Sequence, residues 1–368
     1  MDFVYCKISD ISSVSAGGDR PDICSDYRSD ETPVPIYSNG VENEGLYGYT
    51  DSAKIEGDSV TISARGVNIG TVCYRKEPFL PIVRLLSLVP DRTQVNARYL
   101  YYYLCGVHIS GTGSAQPQIT VPMVANLEIK IHKDIAYQEK IAKILSSFDE
   151  KISTNKQIVE NMWSQIDAYF GKLYSDSSSE KLTFGDVVER CSNKVGESEV
   201  KVLSPVSTGE IVLSEEYFSK QVYSKDISKY LKVEPYEYCY NPARANIGSI
   251  GMNDFDFTGC VSPVYVVFKT TELMRYYISR YFKTEQFKAE VVTRSSGSVR
   301  QALKYDDLTQ IEFIKPKDES LKEFNVFYET LKKQIGTIMD ENAGLVELRD
   351  SILPQLMSGE LDIADISI

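Results

Sequence analysis

The chain has 368 residues, of which 42% are hydrophobic and 25% charged, and this composition excludes a disordered or fibrous protein. Its apolar runs fall well short of the roughly 20 residues that a membrane span needs, so we expect a cytoplasmic protein with no membrane partner. The net charge of −12 argues against a non-specific nucleic-acid coat but leaves room for a local basic face.

Seven cysteines are scattered without a C-x-x-C pair, so they offer no zinc framework. An odd number of unpaired cysteines suits reduced thiols in a reducing compartment. We interpret all seven as small core hydrophobes: Cys6, Cys24, Cys73, Cys105, Cys191, Cys239 and Cys260.

The first predicted domain, residues 1–133, is rich in strand and turn signals. The alternating segment from Ser59 to Ser63 predicts a strand. A short helix is predicted from Ala97 to Leu104 and carries several tyrosines. Aromatic residues at helical spacing are typical of a core, although tyrosines can also stack on nucleic-acid bases.

The first long helix is predicted over residues 134–174, and a serine-rich linker follows at 175–179. Steps of four and three residues place nearly all of its seam positions on apolar side chains, which is the pattern of a coiled coil. The seam consists of Ile141, Leu145, Phe148, Ile152, Asn155, Val159, Met162, Ile166, Tyr169 and Leu173.

The second predicted domain, residues 180–317, repeats this design. A buried strand is predicted from Val264 to Phe268 and an aromatic helix from Leu273 to Phe282. A second long helix is predicted over residues 318–358, followed by a tail at 359–368. We expect Pro354 to kink or stop that helix and Gly359 to cap its end.

Each long seam contains one asparagine near its middle. A single polar residue in a coiled-coil seam fixes the register at a cost in stability, so Asn155 is predicted to face Asn342 across an antiparallel helix pair. An alternative interpretation is that each asparagine points to water at the edge of the seam.

Short motifs recur in the same order in both halves. The segment 64–70 (ARGVNIG) is matched by 243–248 (ARANIG), Gly113-Ser114 by Gly297-Ser298, and residues 126–131 by 310–315, directly before each long helix. Units of this length exceed the repeats of solenoids, so the sequence predicts a duplicated domain.

Several of these segments carry a resemblance to a known family. Residues 241–251 (NPARANIGSIG), 259–265 (GCVSPVY) and 297–303 (GSVRQAL) resemble a target recognition domain of type I restriction-modification specificity subunits. Residues 138–152 (QEKIAKILSSFDEKI) and 352–361 (ILPQLMSGEL) look like that family's helix segments. The resemblance implies an α+β fold with two β-rich recognition domains in tandem, each followed by a long helix, and the two helices pairing as an antiparallel coiled coil.

The resemblance also implies a DNA-reading subunit without chemistry of its own. Its partners would be double-stranded DNA with a bipartite target, two methyltransferase subunits, and restriction or translocase subunits. No cofactor is expected on this chain, whereas S-adenosylmethionine, ATP and Mg are expected on the partner subunits. The alternative is a non-catalytic protein-interaction scaffold, with duplicated binding domains on a coiled-coil spacer.

The motifs of an enzyme are absent from the sequence, so no catalytic or metal-binding residue is predicted. The Asn241-Pro242-Ala243-Arg244 segment lacks the second proline and the aromatic residue of an amino-methyltransferase loop. Gly111-Thr112-Gly113 is followed by residues 114–116 (SAQ), which supply neither the further glycine nor the Lys-Ser/Thr of a phosphate-binding loop.

The predicted DNA contacts follow from base-reading chemistry. Arginine commonly reads guanine, asparagine or glutamine reads adenine, and serine beside glycine can bind phosphate. The candidates are Arg65, Asn68, Ser114, Gln116 and Gln118 in the first domain, and Arg244, Asn246, Arg294, Ser298, Arg300, Gln301 and Lys304 in the second. An alternative interpretation of the repeated Arg and Asn is a turn between strands, with Asn holding the turn and Arg packed along the domain.

Overall fold

The computed structural model describes residues 2–40, 42–112, 117–176, 180–295, 302–361 and 363. The chain divides into two compact units. The first comprises Met1–Lys156 and Met339–Ile368, and the second comprises Gln157–Ile338. Each unit therefore contains one β-rich domain together with part of each long helix.

The described residues of the first unit contain nine strands and four α-helices, counting the long helix that continues beyond it, in addition to the end of the second long helix. The strands are β1 (Phe3–Lys7), β2 (Ser12–Ala16), β3 (Val34–Tyr37), β4 (Leu46–Thr50), β5 (Ser59–Ile62), β6 (Val72–Arg75), β7 (Leu80–Pro81), β8 (Leu86–Pro90) and β9 (Glu128–His132). The helices are α1 (Ile8–Ile11), α2 (Ala97–Cys105), α3 (Val121–Ala125) and α4 (Ile135–Tyr174).

Two sheets form the body of this unit. One is antiparallel in the order β2-β8-β5-β6, and the other has the order β4-β3-β7 with a parallel pairing of β3 and β7. Strands β1 and β9 form a separate antiparallel pair directly before α4. The core combines one face of the four-stranded sheet with α2 and the start of α4, and includes Val60, Leu88, Tyr99, Ile141 and Leu145.

The second unit contains ten strands and five further helices in its described residues. The strands are β10 (Glu180–Thr183), β11 (Val188–Cys191), β12 (Lys201–Pro205), β13 (Ile211–Leu213), β14 (Leu231–Val233), β15 (Tyr238–Tyr240), β16 (Ile250–Met252), β17 (Gly259–Val261), β18 (Val266–Thr270) and β19 (Glu312–Lys315). The helices are α5 (Ser214–Tyr217), α6 (Arg275–Tyr281), α7 (Glu285–Arg294), α8 (Tyr305–Thr309) and α9 (Asp318–Ser358).

The sheets of the second unit repeat the topology of the first. The order β11-β18-β15-β16 corresponds to β2-β8-β5-β6, strand for strand along the chain. The other sheet, β13-β12-β17-β14, again contains a parallel pair, β12 with β17, and adds β14 at its edge. Strands β10 and β19 pair as β1 and β9 do. The two domains therefore share one fold.

The core of the second unit is strongly aromatic. Phe184, Tyr238, Phe268, Tyr277 and Tyr281 are almost completely buried and lie within one cluster. Tyr276 on α6 stacks on Tyr328 of α9, with ring centroids 4.2 Å apart. The tyrosines of α6 are thus core residues, and so are Tyr99 and Tyr102 on α2.

The two long helices pair in opposite directions within each unit. In the first unit Asp149 contacts Arg349, and Asn155 contacts Asn342. In the second unit Trp163 contacts Tyr328. Asp134 caps the start of α4, because its carboxylate accepts from the Ala136 N–H at 2.9 Å. The α+β class with an antiparallel pair of long helices is therefore confirmed.

Three details differ from the sequence predictions. Helix α9 continues through Pro354 to Ser358, although proline removes one N–H donor from the helix, so Pro354 does not stop it. The predicted strand at Val264 begins at Val266, because Tyr265 N–H closes a turn to the Ser262 carbonyl. Only Cys239 and Cys260 are fully buried, whereas Cys105 is exposed and the other four cysteines are half-buried.

Candidate nucleic-acid interface

Loops gather at one edge of the first domain, which we call the first loop edge: residues 38–40, 63–71, 82–85, 109–112 and 117–119. Asn39 joins two of these loops, because its Oδ1 accepts from Ala64 N–H at 2.7 Å. Ile119 N–H donates to the Ala64 carbonyl at 2.9 Å, and this hydrogen bond joins the segment 117–119 to the loop 63–71. These segments, from strand connections and from the link between α2 and α3, thus lie together at one surface.

The carbonyl of Val83 is the centre of this network. It accepts from Asn39 Nδ2 at 2.7 Å and from the Arg65 guanidinium at 3.1 Å. Two side chains from two different loops thereby fix the orientation of a third loop, the turn between β7 and β8.

This turn has an unusual backbone. Leu85 N–H donates to the Ile82 carbonyl at 3.0 Å, which closes a four-residue turn. Both central residues are left-handed, with φ of 53° at Val83 and 60° at Arg84. Glycine, asparagine or aspartate normally occupies such positions, and each L-residue with a side chain there costs about 1–2 kcal/mol. The surrounding contacts hold a strained turn in place.

The structure places the predicted first-domain contacts Arg65, Asn68 and Gln118 on the first loop edge. Arg65 is half-buried and Asn68 Nδ2 donates to the Gly40 carbonyl at 2.9 Å, so both side chains bind the protein's own backbone. Gln118 exchanges backbone hydrogen bonds with Thr112. Ser114 and Gln116 lie outside the described residues.

A corresponding surface, the second loop edge, lies on the second domain: residues 206–209, 241–249, 262–265 and 302–304. Residues Pro242–Ile247 form a 3-10 helix, and Asn241 caps it by accepting from Ala243 N–H at 3.0 Å. The helix ends at Gly248, whose φ is 88°. A β carbon there would lie 2.6 Å from the Ser207 carbonyl oxygen, so this position requires glycine.

Arg244 and Asn246 are exposed on that 3-10 helix. Within the part of the chain that the structure describes, neither side chain makes a hydrogen bond or an ion pair. Burial raises the pKa of the neighbouring Tyr265, while Asn241 and the positive charge of Arg244 act against that rise. A cavity of about 400 Å³ beside Arg244 is lined by Tyr223, Tyr265 and several serines. The second loop edge thus presents the exposed guanidinium of Arg244, which has no hydrogen bond or ion pair within the described residues, beside a cavity lined partly by tyrosines.

The other second-domain candidates differ in their contacts. Lys304 is exposed next to Leu303, whose N–H donates to the Pro242 carbonyl at 3.0 Å, so Lys304 lies close to the 3-10 helix. Arg294 ends α7, which packs against that helix, but its guanidinium is paired with Glu290 at 2.9 Å. Ser298, Arg300 and Gln301 lie outside the described residues.

Sequence reasoning missed two residues of the first loop edge. Asn39, which joins three loops, was not among the candidates because its role depends on contacts far away in the sequence. Arg84 interrupts the apolar sequence that begins at Phe79, and it is exposed at the tip of the strained turn. A charged residue inside an apolar run was the available signal.

The described portion of the chain lacks a side-chain cluster for a metal ion and a helix for a membrane span. No cluster of three or more His, Cys, Asp or Glu side chains there could hold a metal ion. No helix among those residues is both long and apolar enough to span a bilayer.

Comparison with known proteins identifies the class to which this duplicated fold belongs. Residues 1–161 match the family model described as "Type I restriction modification DNA specificity domain". A crystal structure of the type I restriction-modification system S subunit from M. genitalium superimposes with a TM-score of 0.61 at 16% identity, covering 99% of this chain and 97% of that one. That likeness establishes the shared fold.

Two Mycoplasma pneumoniae proteins, both named "Putative type I specificity subunit", are similar in sequence. The protein named S.MpnORF289P C-terminus is 30% identical to this chain over 148 residues, which cover 39% of this chain and 97% of the relative. S.MpnORF89P is 30% identical over 182 residues, which cover 48% of this chain and about half, 53%, of the relative. The chain belongs to the family of type I restriction-modification specificity subunits.

Proposed function

We propose that the chain reads a split, asymmetric DNA target with its two recognition domains and positions methyltransferase and restriction subunits on that target. The observation that carries this proposal is the duplication: two domains with the same strand order, each with a loop edge that holds an exposed arginine. Arginine reads guanine in the major groove through two parallel hydrogen bonds. Two such edges with different side chains suit two different half-sites.

The chain contributes recognition and no catalysis in this proposal. S-adenosylmethionine, ATP and Mg would be bound by the partner subunits, where methyl transfer and DNA translocation take place. Because the net charge of −12 disfavours tight DNA binding by the chain alone, the partners would supply much of the phosphate neutralisation.

The experiment is to map methylated adenines in cells that express the cognate methyltransferase with and without this chain. Methylation at a two-part motif only when the chain is present supports the proposal. Assembly with partner proteins without any chain-dependent methylation or DNA binding would instead favour a protein-interaction scaffold.

A further inference from the structure

The two loop edges use their corresponding arginines differently. Arg65 and Arg244 stand at the same place in the repeated ARGVNIG and ARANIG segments. Arg244 is exposed and makes no hydrogen bond or ion pair within the described residues, whereas Arg65 is half-buried and donates to the Val83 carbonyl. The first loop edge therefore lacks a free guanidinium at the position where the second has one.

Arg84 supplies a free guanidinium at the first loop edge instead. Its side chain is exposed, and no hydrogen bond or ion pair engages it in the part of the chain that the structure covers. Val83 beside it is 43% exposed, so the tip of the turn projects from the domain. The corresponding connection in the second domain, Ser262 to Tyr265, has no residue with positive φ.

Four contacts over-determine the backbone of the Val83–Arg84 turn. Val83 N–H donates to Gly18 at 2.8 Å and Arg84 N–H donates to Gly17 at 3.2 Å, while Asn39 and Arg65 both bind the Val83 carbonyl. A β carbon at Gly17 would lie 2.7 Å from the Pro81 carbonyl carbon, so the two segments approach as closely as glycine permits. Strained turns that are held this firmly concentrate at binding sites, where strain maintains a prearranged geometry.

We propose that Arg84 is a base-reading residue of the first recognition domain, that its target is a guanine of the first half-site, and that Arg65 and Asn39 are positioning residues that act through the turn. This inference rests on the proposed function. A guanidinium can donate two parallel hydrogen bonds to O6 and N7 of guanine, and a rigid turn lowers the entropic cost of holding that geometry.

The test uses the full chain assembled with its cognate methyltransferase subunits. Methylation is measured on a DNA library in which the first half-site is randomised and the second is fixed, and then on the converse library. The variants are Arg84→Gly, Arg84→Lys and Arg65→Ala, with Arg92→Ala as the matched control, because Arg92 is an exposed arginine of the same domain that forms an ion pair with Asp58. Glycine suits the left-handed backbone, so Arg84→Gly is expected to preserve folding.

Arg84→Gly is expected to lower the preference for guanine at one position of the first half-site by about 10-fold or more, with the second half-site unchanged. Arg84→Lys retains the charge but not the paired donors, and is expected to lose the same preference while keeping more overall affinity. Arg65→Ala should weaken the guanine preference at the same position. The double variant Arg65→Ala with Arg84→Gly should show the same preference as Arg84→Gly alone. If Arg65→Ala instead weakens the base preference at a position of the half-site that Arg84→Gly does not affect, Arg65 reads a base itself and its positioning role is overturned.

Base preferences of Arg84→Gly that equal those of the parent and of Arg92→Ala would overturn the inference. If Arg84→Gly does not assemble, Arg84→Lys decides the question in the same library, and an unchanged guanine preference there overturns it as well. A parent complex that shows no chain-dependent split motif would contradict the proposed function itself, which separates the two failures.

Discussion

Asn155 Nδ2 lies 2.9 Å from Asn342 Oδ1 in the seam between α4 and α9, and Asn155 is only 1% exposed. The same amide donates to Glu341 at 2.8 Å. The two asparagines that the sequence analysis paired are therefore in contact, and Asn155 does not point to water. That they determine the register of the helices remains a prediction.

Replacing Asn155 by Ala is expected to lower the free energy of unfolding by about 1–3 kcal/mol, because it leaves the partners of a buried amide without a donor. The double change Asn155→Leu with Asn342→Leu should recover that loss while weakening the preference for one helix register. Urea unfolding measures the first effect, and disulfide trapping of shifted registers measures the second. Lys156→Ala, at an exposed neighbouring position, serves as the control. Equal effects of Asn155→Ala and Lys156→Ala would refute the seam role.

Asp149 connects the first recognition domain to the helix pair. Its carboxylate accepts from Tyr102 Oη on α2 at 2.5 Å and from the Arg349 guanidinium on α9 at 2.5 Å. Asp149→Ala is expected to cost roughly 2–4 kcal/mol, since charge-assisted hydrogen bonds contribute about 1.5–3 kcal/mol each and are not additive. Glu150→Ala breaks the neighbouring pair with Arg98, but Glu150 is 69% exposed, so about 0.2–1 kcal/mol is expected. Chemical denaturation of the two variants compares these costs, and a larger loss for Glu150→Ala would contradict this assignment.

Arg244 and Lys304 are expected to affect DNA binding in different ways. Arg244→Ala should lower discrimination at one base pair of the second half-site by about 1–3 kcal/mol, because a bidentate base contact is lost. Lys304→Ala should weaken binding to all sequences and reduce the slope of affinity against salt by about one unit. Competition binding of the assembled complex at several salt concentrations distinguishes the two. An effect of Arg244→Ala that is the same for all sequences would make Arg244 a phosphate contact.

Buried tyrosines predict a loss of stability at alkaline pH. Burial raises the pKa of Tyr99 to about 12, while the hydrogen bond that its hydroxyl accepts from the His132 N–H acts against the rise. Because the folded pKa exceeds the value of about 10 in the unfolded chain, the stabilisation is present below pH 10 and is lost as pH rises toward 12. Tyr99→Phe should reduce the decrease in the free energy of unfolding between pH 10 and 12 by on the order of 2–3 kcal/mol. Tyr5→Phe, at a site 76% exposed, serves as the control, and a similar response of both variants would contradict the prediction.

Local patterns were enough to predict much of the fold. The long helices follow from the spacing of seam residues such as Ile141 and Leu145, and α2 and α6 follow from aromatic residues at helical spacing. Strands β9 and β19 lie at the repeated segments 126–131 and 310–315, which supported the prediction of a duplicated domain. All of these signals lie within a few residues of the elements that they specify.

The details of the loop edges depend on contacts between distant segments, which a single sequence does not reveal. The left-handed turn at Val83 and Arg84 contains no glycine or asparagine, so no turn signal marks it. The inward orientation of Arg65 depends on the Val83 carbonyl, whereas the matching ARANIG segment leaves Arg244 exposed in the second domain. The parallel pairing of β3 with β7 likewise joins segments that are far apart in the chain.

The central claim is that each recognition domain reads one half of a split target. The most direct measurement is single-molecule methylome sequencing of cells that express the methyltransferase with this chain, after residues 180–317 are exchanged for the corresponding domain of another specificity subunit. The account predicts that one half of the methylated motif changes and the other half is retained, with the reverse result when residues 1–133 are exchanged. A motif in which both halves change with either exchange, or an unchanged methylome despite confirmed assembly, would contradict it.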